Sequence, residues 1–274
     1  AIEHGKNIAL ANKETLVAAG SIVMEAVRKH QVSLTPVDSE HSAIFQSLRA
    51  GQKNEVRRLI ITASGGPFRG MDKAALAHVT LEQCLHHPNW SMGKKVTIDS
   101  STLANKGLEV MEAHWLFDMA YDKIDVVIHP QSIVHSLVEY VDGAVIAQLG
   151  IPDMRLPIQY ALSYPQRFNC HFGSLDLVKY GTLTFEKPDV EVFPLLQVAL
   201  TCGREGGTLP CAFNAANEEC VNAFLAGRIK YLDIPELVKR TVAAHKQVSQ
   251  PSLEAIAAAD QETRVCVRKF LADI

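Results

Sequence analysis

Hydrophobic positions along this chain switch between two rhythms, and the switches mark its elements. Between Glu14 and His30, the residues Leu16, Val17, Ile22, Val23 and Val27 recur at roughly helical spacing, which predicts an amphipathic helix. Short apolar runs lie on either side. Residues 7–11, 32–37, 56–62, 96–99 and 124–128 are too short for independent helices, and each predicts a strand. A second helix is predicted from Leu103 to Phe117, and a helical turn from Thr80 to Cys84. Residues 136–140 and 144–149 flank Val141-Asp142-Gly143, and Asp-Gly between such runs signals a hairpin. Strands alternating with helices, with a hairpin added, predict an α/β fold, here an α+β unit with a mixed sheet.

The pattern changes near Tyr164. Residues 164–190 are richer in Pro, Gly and polar residues and predict a linker. Beyond it the rhythm is helical, with candidates at 194–202, 212–225, 234–248 and 260–272, so residues 191–274 predict a C-terminal helical bundle. Asp233 and Glu236 have the spacing of a capping box.

Composition narrows the class. The chain has 274 residues with 27 basic and 30 acidic side chains, so a net charge of −3 offers no basic surplus for nucleic acid. No apolar run approaches the length of a membrane span. The six cysteines are scattered and form no Cys-x-x-Cys pair, which predicts reduced thiols in the cytoplasm or in an organelle interior of plastid type. The chain opens on Ala1 and then on a buried-looking strand, so an N-terminal truncation is expected.

The chemistry concentrates at strand ends. Asp38 and Glu40 follow the run at 32–37. If that segment stays extended, their side chains point the same way. Two close carboxylates repel unless a cation or proton lies between them, and hard oxygen donors suit Mg²⁺ or Mn²⁺. Glu109, on the second predicted helix, is a candidate third ligand. A solvated loop bearing two acids has the same local sequence. Ser64-Gly65-Gly66-Pro67 follows the strand at 56–62; glycines let backbone approach a ligand and Ser64 can donate to an oxyanion. Ser100 and Ser101 precede the predicted helix, and Asn105 and Lys106 lie one turn later. A plain turn and a helix cap are the structural alternatives. His87 to Gly93, with Trp90 and Met92, suits a loop that excludes water or one docked on the core. His129 ends a strand, which favours function, but a satisfied core histidine is the commoner role for such a residue.

Taken in order, Leu10-Ala11-Asn12-Lys13-Glu14, Pro36-Val37-Asp38-Ser39-Glu40-His41, Ser64-Gly65-Gly66-Pro67-Phe68-Arg69, His87-Pro88-Asn89-Trp90-Ser91-Met92-Gly93, Asn105-Lys106-Gly107-Leu108-Glu109, His129-Pro130-Gln131-Ser132, Pro152-Asp153-Met154-Arg155 and Asn214-Ala215-Ala216-Asn217-Glu218 resemble the 1-deoxy-D-xylulose 5-phosphate reductoisomerases. The resemblance covers nearly the whole chain. It implies metal ligation by Asp38, Glu40 and Glu109, and substrate contacts from Lys13, Ser39, Glu40 and Glu109. It implies a phosphate pocket of Ser64, Ser100, Asn105 and Lys106 with His87 nearby, and a lid carrying Trp90 and Met92. Lys13, Glu40, Glu109 and His87 are then the catalytic candidates, and Asn12, Glu14 and Gly93 lie near a nicotinamide.

The implied reaction rearranges 1-deoxy-D-xylulose 5-phosphate and reduces it to 2-C-methyl-D-erythritol 4-phosphate, a step of the non-mevalonate isoprenoid route. It uses NADPH and Mg²⁺ or Mn²⁺, with Co²⁺ as an alternative. The implied partners are the phosphorylated sugar and a second copy of the chain, with no nucleic acid or membrane. The family opens on a Gly-rich dinucleotide fold, and no Gly-x-Gly-x-x-Gly occurs here. Residues 1–31 are therefore expected to be a remnant of that domain and 32–163 the catalytic domain. The chain alone is expected to bind metal and phosphonates weakly without turnover. A nicotinamide-independent phosphosugar isomerase or aldolase, and a non-catalytic metabolite-binding module, are the competing classes.

Overall fold

The computed structural model describes residues 1–273. In chain order the main elements are β1 (Ile8–Leu10), α1 (Glu14–His30), β2 (Leu34–Pro36), α2 (Ser39–Ser47), β3 (Val56–Ala63), α3 (Lys73–Leu76), α4 (Leu81–Leu85), α5 (Lys94–Ser101) and α6 (Ala104–Phe117). They continue as β4 (Ile124–Ile128), β5 (Val134–Tyr140), β6 (Val145–Leu149), α7 (Arg155–Ser163), α8 (Leu177–Tyr180), α9 (Leu195–Glu205), α10 (Leu209–Leu225), α11 (Asp233–Ala244) and α12 (Leu253–Ala272). Two compact units result. One holds Ala1–Lys13, Val23–Ser64 and Ala113–Pro188; the other holds Glu14–Ile22, Gly65–Glu112 and the chain from Asp189 onward.

The first unit is built on strands. β1 and β2 pair in parallel, with Leu10 opposite Pro36. A mixed sheet has the order β4-β3-β5-β6; β3 runs parallel to β4 and antiparallel to β5, and β5 and β6 form the expected hairpin. β3 breaks alternation in its first half, where Arg57 and Arg58 are both exposed at a register shift against β5, and ends in Ile61, Thr62 and Ala63, all buried. α2 packs against β5 and β6, and the Tyr140 hydroxyl donates to the Ser47 carbonyl at the end of α2 at 3.0 Å. The sheet thereby fixes the helix whose opposite end begins at Asp38. Residues 164–190 contain α8 and a bridge in which Glu186 and Ile128 exchange backbone hydrogen bonds.

The second unit is helical. α10 packs against α9, α11 and α12, and carries Phe213, Ala215, Ala216 and Val221 with no exposed surface. This is the predicted C-terminal bundle.

Several local expectations fail. Residues 96–99 are not a strand but the middle of α5: burial of Ile98 at 0 % exposure outweighs the β-branched propensity of Val96, Thr97 and Ile98. Ser100 and Ser101 therefore close α5 and do not cap the next helix. α2 and α7 were not expected from the hydrophobic rhythm. Asp233 and Glu236 form no capping box; Asp233 lies inside α11 and accepts the Lys230 amide, while Glu236 pairs with Lys239.

Candidate active site

The parallel register of β1 and β2 sends both chains out at one edge. Lys13 follows Leu10 by three residues and Asp38 follows Pro36 by two, so the two side chains meet there: Lys13 Nζ lies 2.5 Å from Asp38 Oδ2. Asp38 and Glu40 are not on an extended segment as the sequence suggested. Asp38 is the N-cap of α2 and Glu40 stands in its first turn. Asp38 caps no backbone amide with its side chain, and its carboxylate serves Lys13 instead. The Ser39 hydroxyl donates to Glu40 Oε2 at 2.6 Å. One oxygen of Asp38 and one of Glu40 lie within 4.8 Å of each other. Like charges at that spacing repel, and the positive end of α2 and the Lys13 ammonium oppose that repulsion.

Two histidines of the same unit escaped the sequence reading. His41 has no exposed surface, stacks on Phe117 at 6.2 Å, and offers a ring nitrogen within 4.8 Å of an Asp38 oxygen. His135, on β5, is held below the ordinary histidine value by burial, against the opposing pull of the Glu40 carboxylate. The adjacency of His41 to Glu40 was a usable signal; nothing local marked His135. His129 resolves as structural: its Nδ1 faces the Thr184 carbonyl at 2.9 Å, its Nε2 accepts the Ile133 amide, and its ring stacks on Phe185. Ser64 directly follows β3, and Asn12 is exposed in the short connection after β1.

In the helical unit, Glu109 is 1 % exposed on α6. Its two oxygens accept from the preceding turn, Oε1 from Asn105 Nδ2 and Oε2 from Lys106 Nζ, each at 2.5 Å. Spacings of three and four residues put all three side chains on one helical face. The phosphate-pocket candidates Asn105 and Lys106 thus share a buried network with the metal candidate Glu109. Ser100 sits in the last turn of α5. Gly66 (φ +69) passes so close that a Cβ there would lie 2.9 Å from Ser101 Cα and 3.0 Å from the Ser100 carbonyl oxygen.

Lys95 links further candidates. Its ammonium lies 3.1 Å from Glu14 Oε1 and 2.9 Å from Asp99 Oδ2. Burial alone would lower the Lys95 pKa, and these two carboxylates together hold it above the ordinary lysine value. Asp99, 1 % exposed, carries no role of its own in the sequence reading. In the loop before α5, His87 Nδ1 accepts the backbone amides of Asn89 and Trp90 at 3.2 and 3.0 Å, which puts the proton of a neutral His87 on Nε2. Trp90 and Met92 are half-buried there, and Gly93 is the N-cap of α5. The cysteines are all free. Burial pushes Cys84, Cys202 and Cys220 up to about 12, which suits packing and not nucleophilic chemistry.

Carboxylates able to hold a hard cation, and hydroxyl, amide and ammonium donors able to hold a phosphate, are thus each built into well-formed local structure. Known proteins share this chain's pattern. The family model described as 1-deoxy-D-xylulose 5-phosphate reductoisomerase matches residues 1–20, that of the family's C-terminal domain matches 34–117, and that of the DXP reductoisomerase C-terminal domain matches 149–266. The 1-deoxy-D-xylulose 5-phosphate reductoisomerase of Acetivibrio thermocellus is 56% identical over 271 residues, 99% of this chain and 71% of that protein. That of Heliobacterium modesticaldum is 58% identical over 264 residues, 96% of this chain and 67% of that protein. A Zymomonas mobilis enzyme solved in complex with NADPH superposes with a TM-score of 0.94 at 46% identity, over 100% of this chain and 71% of that one. A DOX-P reductoisomerase solved with NADPH, fosmidomycin and magnesium gives 0.91 at 40% identity, over 99% of this chain and 71% of that one. At that identity and coverage, the chain belongs to the 1-deoxy-D-xylulose 5-phosphate reductoisomerase family.

Proposed function

We propose that this chain supplies the metal- and substrate-binding machinery of an NADPH-dependent reductoisomerase that converts 1-deoxy-D-xylulose 5-phosphate to 2-C-methyl-D-erythritol 4-phosphate. The observation that carries the reading is the paired oxygen donors of Asp38 and Glu40 at the start of α2, in a chain 56% identical over 271 residues to a reductoisomerase. Asp38, Glu40 and Glu109 would hold a divalent cation. All three offer carboxylate oxygens, the donor chemistry that Mg²⁺ and Mn²⁺ prefer, with Co²⁺ tolerated. When bound, such a cation polarises a carbonyl as a Lewis acid, and NADPH supplies hydride to an aldehyde carbon.

The chain's own residues bind and orient. Ser64, Ser100, Asn105 and Lys106 would grip the phosphate; its distance from the reacting carbons converts binding energy into orientation. His87, with its proton on Nε2, is set to donate to a phosphate oxygen. Lys13 and Ser39 face the sugar backbone beside Asp38 and Glu40. Trp90 and Met92 would exclude water, and Asn12, Glu14 and Gly93 would lie near the nicotinamide. The catalytic portion would span residues 32–163, joined through 164–190 to the helical residues 191–274. β6 is an edge strand with Val145 47% and Ile146 38% exposed, a surface on which a second copy could pair. Free thiols suit a reducing compartment such as the cytoplasm.

The test follows NADPH absorbance in the full-length protein with 1-deoxy-D-xylulose 5-phosphate and Mg²⁺. Substrate-dependent oxidation that EDTA abolishes and Mn²⁺ restores is expected, and sedimentation of the same preparation should give a dimer. Substrate turnover without NADPH consumption would replace this reading with a phosphosugar isomerase.

A further inference from the structure

Ser100 stands between two buried anchors. Asp99, just before it, accepts from Asn217 Nδ2 at 2.7 Å, and Ser101, just after it, gives its carbonyl to the Tyr231 hydroxyl at 2.7 Å. Both anchoring residues come from the helical bundle, more than a hundred positions downstream. Asn217 lies on α10 with 0 % exposure, and Tyr231 lies between α10 and α11 with 3 %.

Each anchor shows signs of a fixed orientation. The Oδ1 of Asn217 is buried and has no hydrogen-bond partner among the described residues. The side-chain hydrogen bond of Asn217 is therefore the one it donates to Asp99, and that bond orients the amide. The Asp99 carboxylate takes Lys95 on its other oxygen, leaving it little freedom to rotate. Tyr231 packs edge-on against Phe68 at 5.2 Å and Phe224 at 6.1 Å, and burial pushes its hydroxyl well above the ordinary tyrosine value, so it stays a donor. Its contact with Phe68 ties the same ring to the Gly65-Gly66-Pro67-Phe68 turn, whose Gly66 backbone touches Ser100 and Ser101.

We infer that Asn217 and Tyr231 are positioning residues that clamp the Asp99-Ser100-Ser101 turn and so fix the Ser100 hydroxyl for the phosphate of the substrate. This rests on the reading of Ser100 as a phosphate ligand. Neither residue need touch the substrate. The clamp gives the helical bundle a part in substrate affinity that its sequence does not announce.

The test measures KM for 1-deoxy-D-xylulose 5-phosphate and for NADPH, together with Tm, in the full-length enzyme and three variants. Ser100→Ala is expected to raise the sugar-phosphate KM about tenfold, the effect of losing a hydrogen bond to a charged group. Tyr231→Phe and Asn217→Leu are each expected to raise it about fivefold, with the NADPH KM unchanged. A structural role alone would lower Tm and the active fraction and leave both KM values as they were, which overturns the clamp. If Ser100→Ala leaves the sugar-phosphate KM unchanged, the phosphate reading falls and the clamp with it. If Ser100→Ala acts but the other two do not, only the clamp falls. Tyr231→Phe removes one oxygen and decides the matter should Asn217→Leu fail to fold.

Discussion

Glu109 and the Asp38–Glu40 pair are proposed for one task, yet their surroundings are made in opposite ways. Glu109 is neutralised by its own helix: Asn105 and Lys106, one turn back, occupy both its oxygens. Asp38 receives its counter-charge from Lys13, 25 positions away in sequence, and only because β1 and β2 run parallel with Leu10 opposite Pro36. A charge balanced within a helix is part of that helix's stability. A charge balanced across a strand register depends on the fold, and it leaves room for a cation to alter the balance. Glu109 should therefore be dominated by structure and Asp38 by binding.

The sharpest way to break that contrast is Lys106→Met. Both partners of this pair are almost fully buried, at 5% and 1% side-chain exposure, so removing the ammonium strands a carboxylate. The expected loss is about 3–5 kcal/mol in urea unfolding, partly recovered in the double variant with Glu109→Leu. A loss below about 1 kcal/mol would show that Glu109 is not balanced by its own helix.

A smaller stability effect and a larger binding effect are expected from Asp38→Asn. Losing the charge opposite Lys13 should cost about 2 kcal/mol. Affinity for Mn²⁺, read by calorimetry, should fall by more than the roughly 10- to 100-fold typical of losing a mere supporting residue. Unchanged Mn²⁺ affinity would remove Asp38 from the ligand set.

The mildest test is His135, whose pKa burial lowers and Glu40 raises. As pH falls below about 6.5 the unfolded chain takes up this proton first, so folded-state stability declines through the histidine range and is fully present above it. Glu40→Gln removes the opposing pull. The His135 resonance should then titrate at still lower pH, and the acid-side decline should steepen. An unmoved titration would mean that the field of the pair does not reach β5.

Much of the architecture could be read before any coordinates. The helix from Glu14 to His30 has the bounds its apolar rhythm predicts, although Ala19 (φ −134, ψ 27) kinks it, and the Asp142-Gly143 hairpin forms because few other sequences accept its backbone geometry. The ordered motifs indicated the chemistry. Failures came where local preference met burial. Residues 96–99 have strand-like side chains and form α5, because Ile98 buries itself completely as part of a helix. Asp38 and Glu40 looked extended because a strand precedes them, whereas Asp38 begins α2.

By itself the sequence determined everything carried by short-range spacing: the amphipathic helices, the hairpin, and the Asn105–Lys106–Glu109 cluster set by helical geometry. It also fixed which residue types were available for a cation and a phosphate. Tertiary structure alone decided the partnerships of Lys13 with Asp38, Asn217 with Asp99 and Tyr231 with Ser101. Hydrogen bonds and ion pairs between distant segments follow from strand register and helix packing. Those are settled by the burial of many side chains at once, and no single stretch of sequence encodes them.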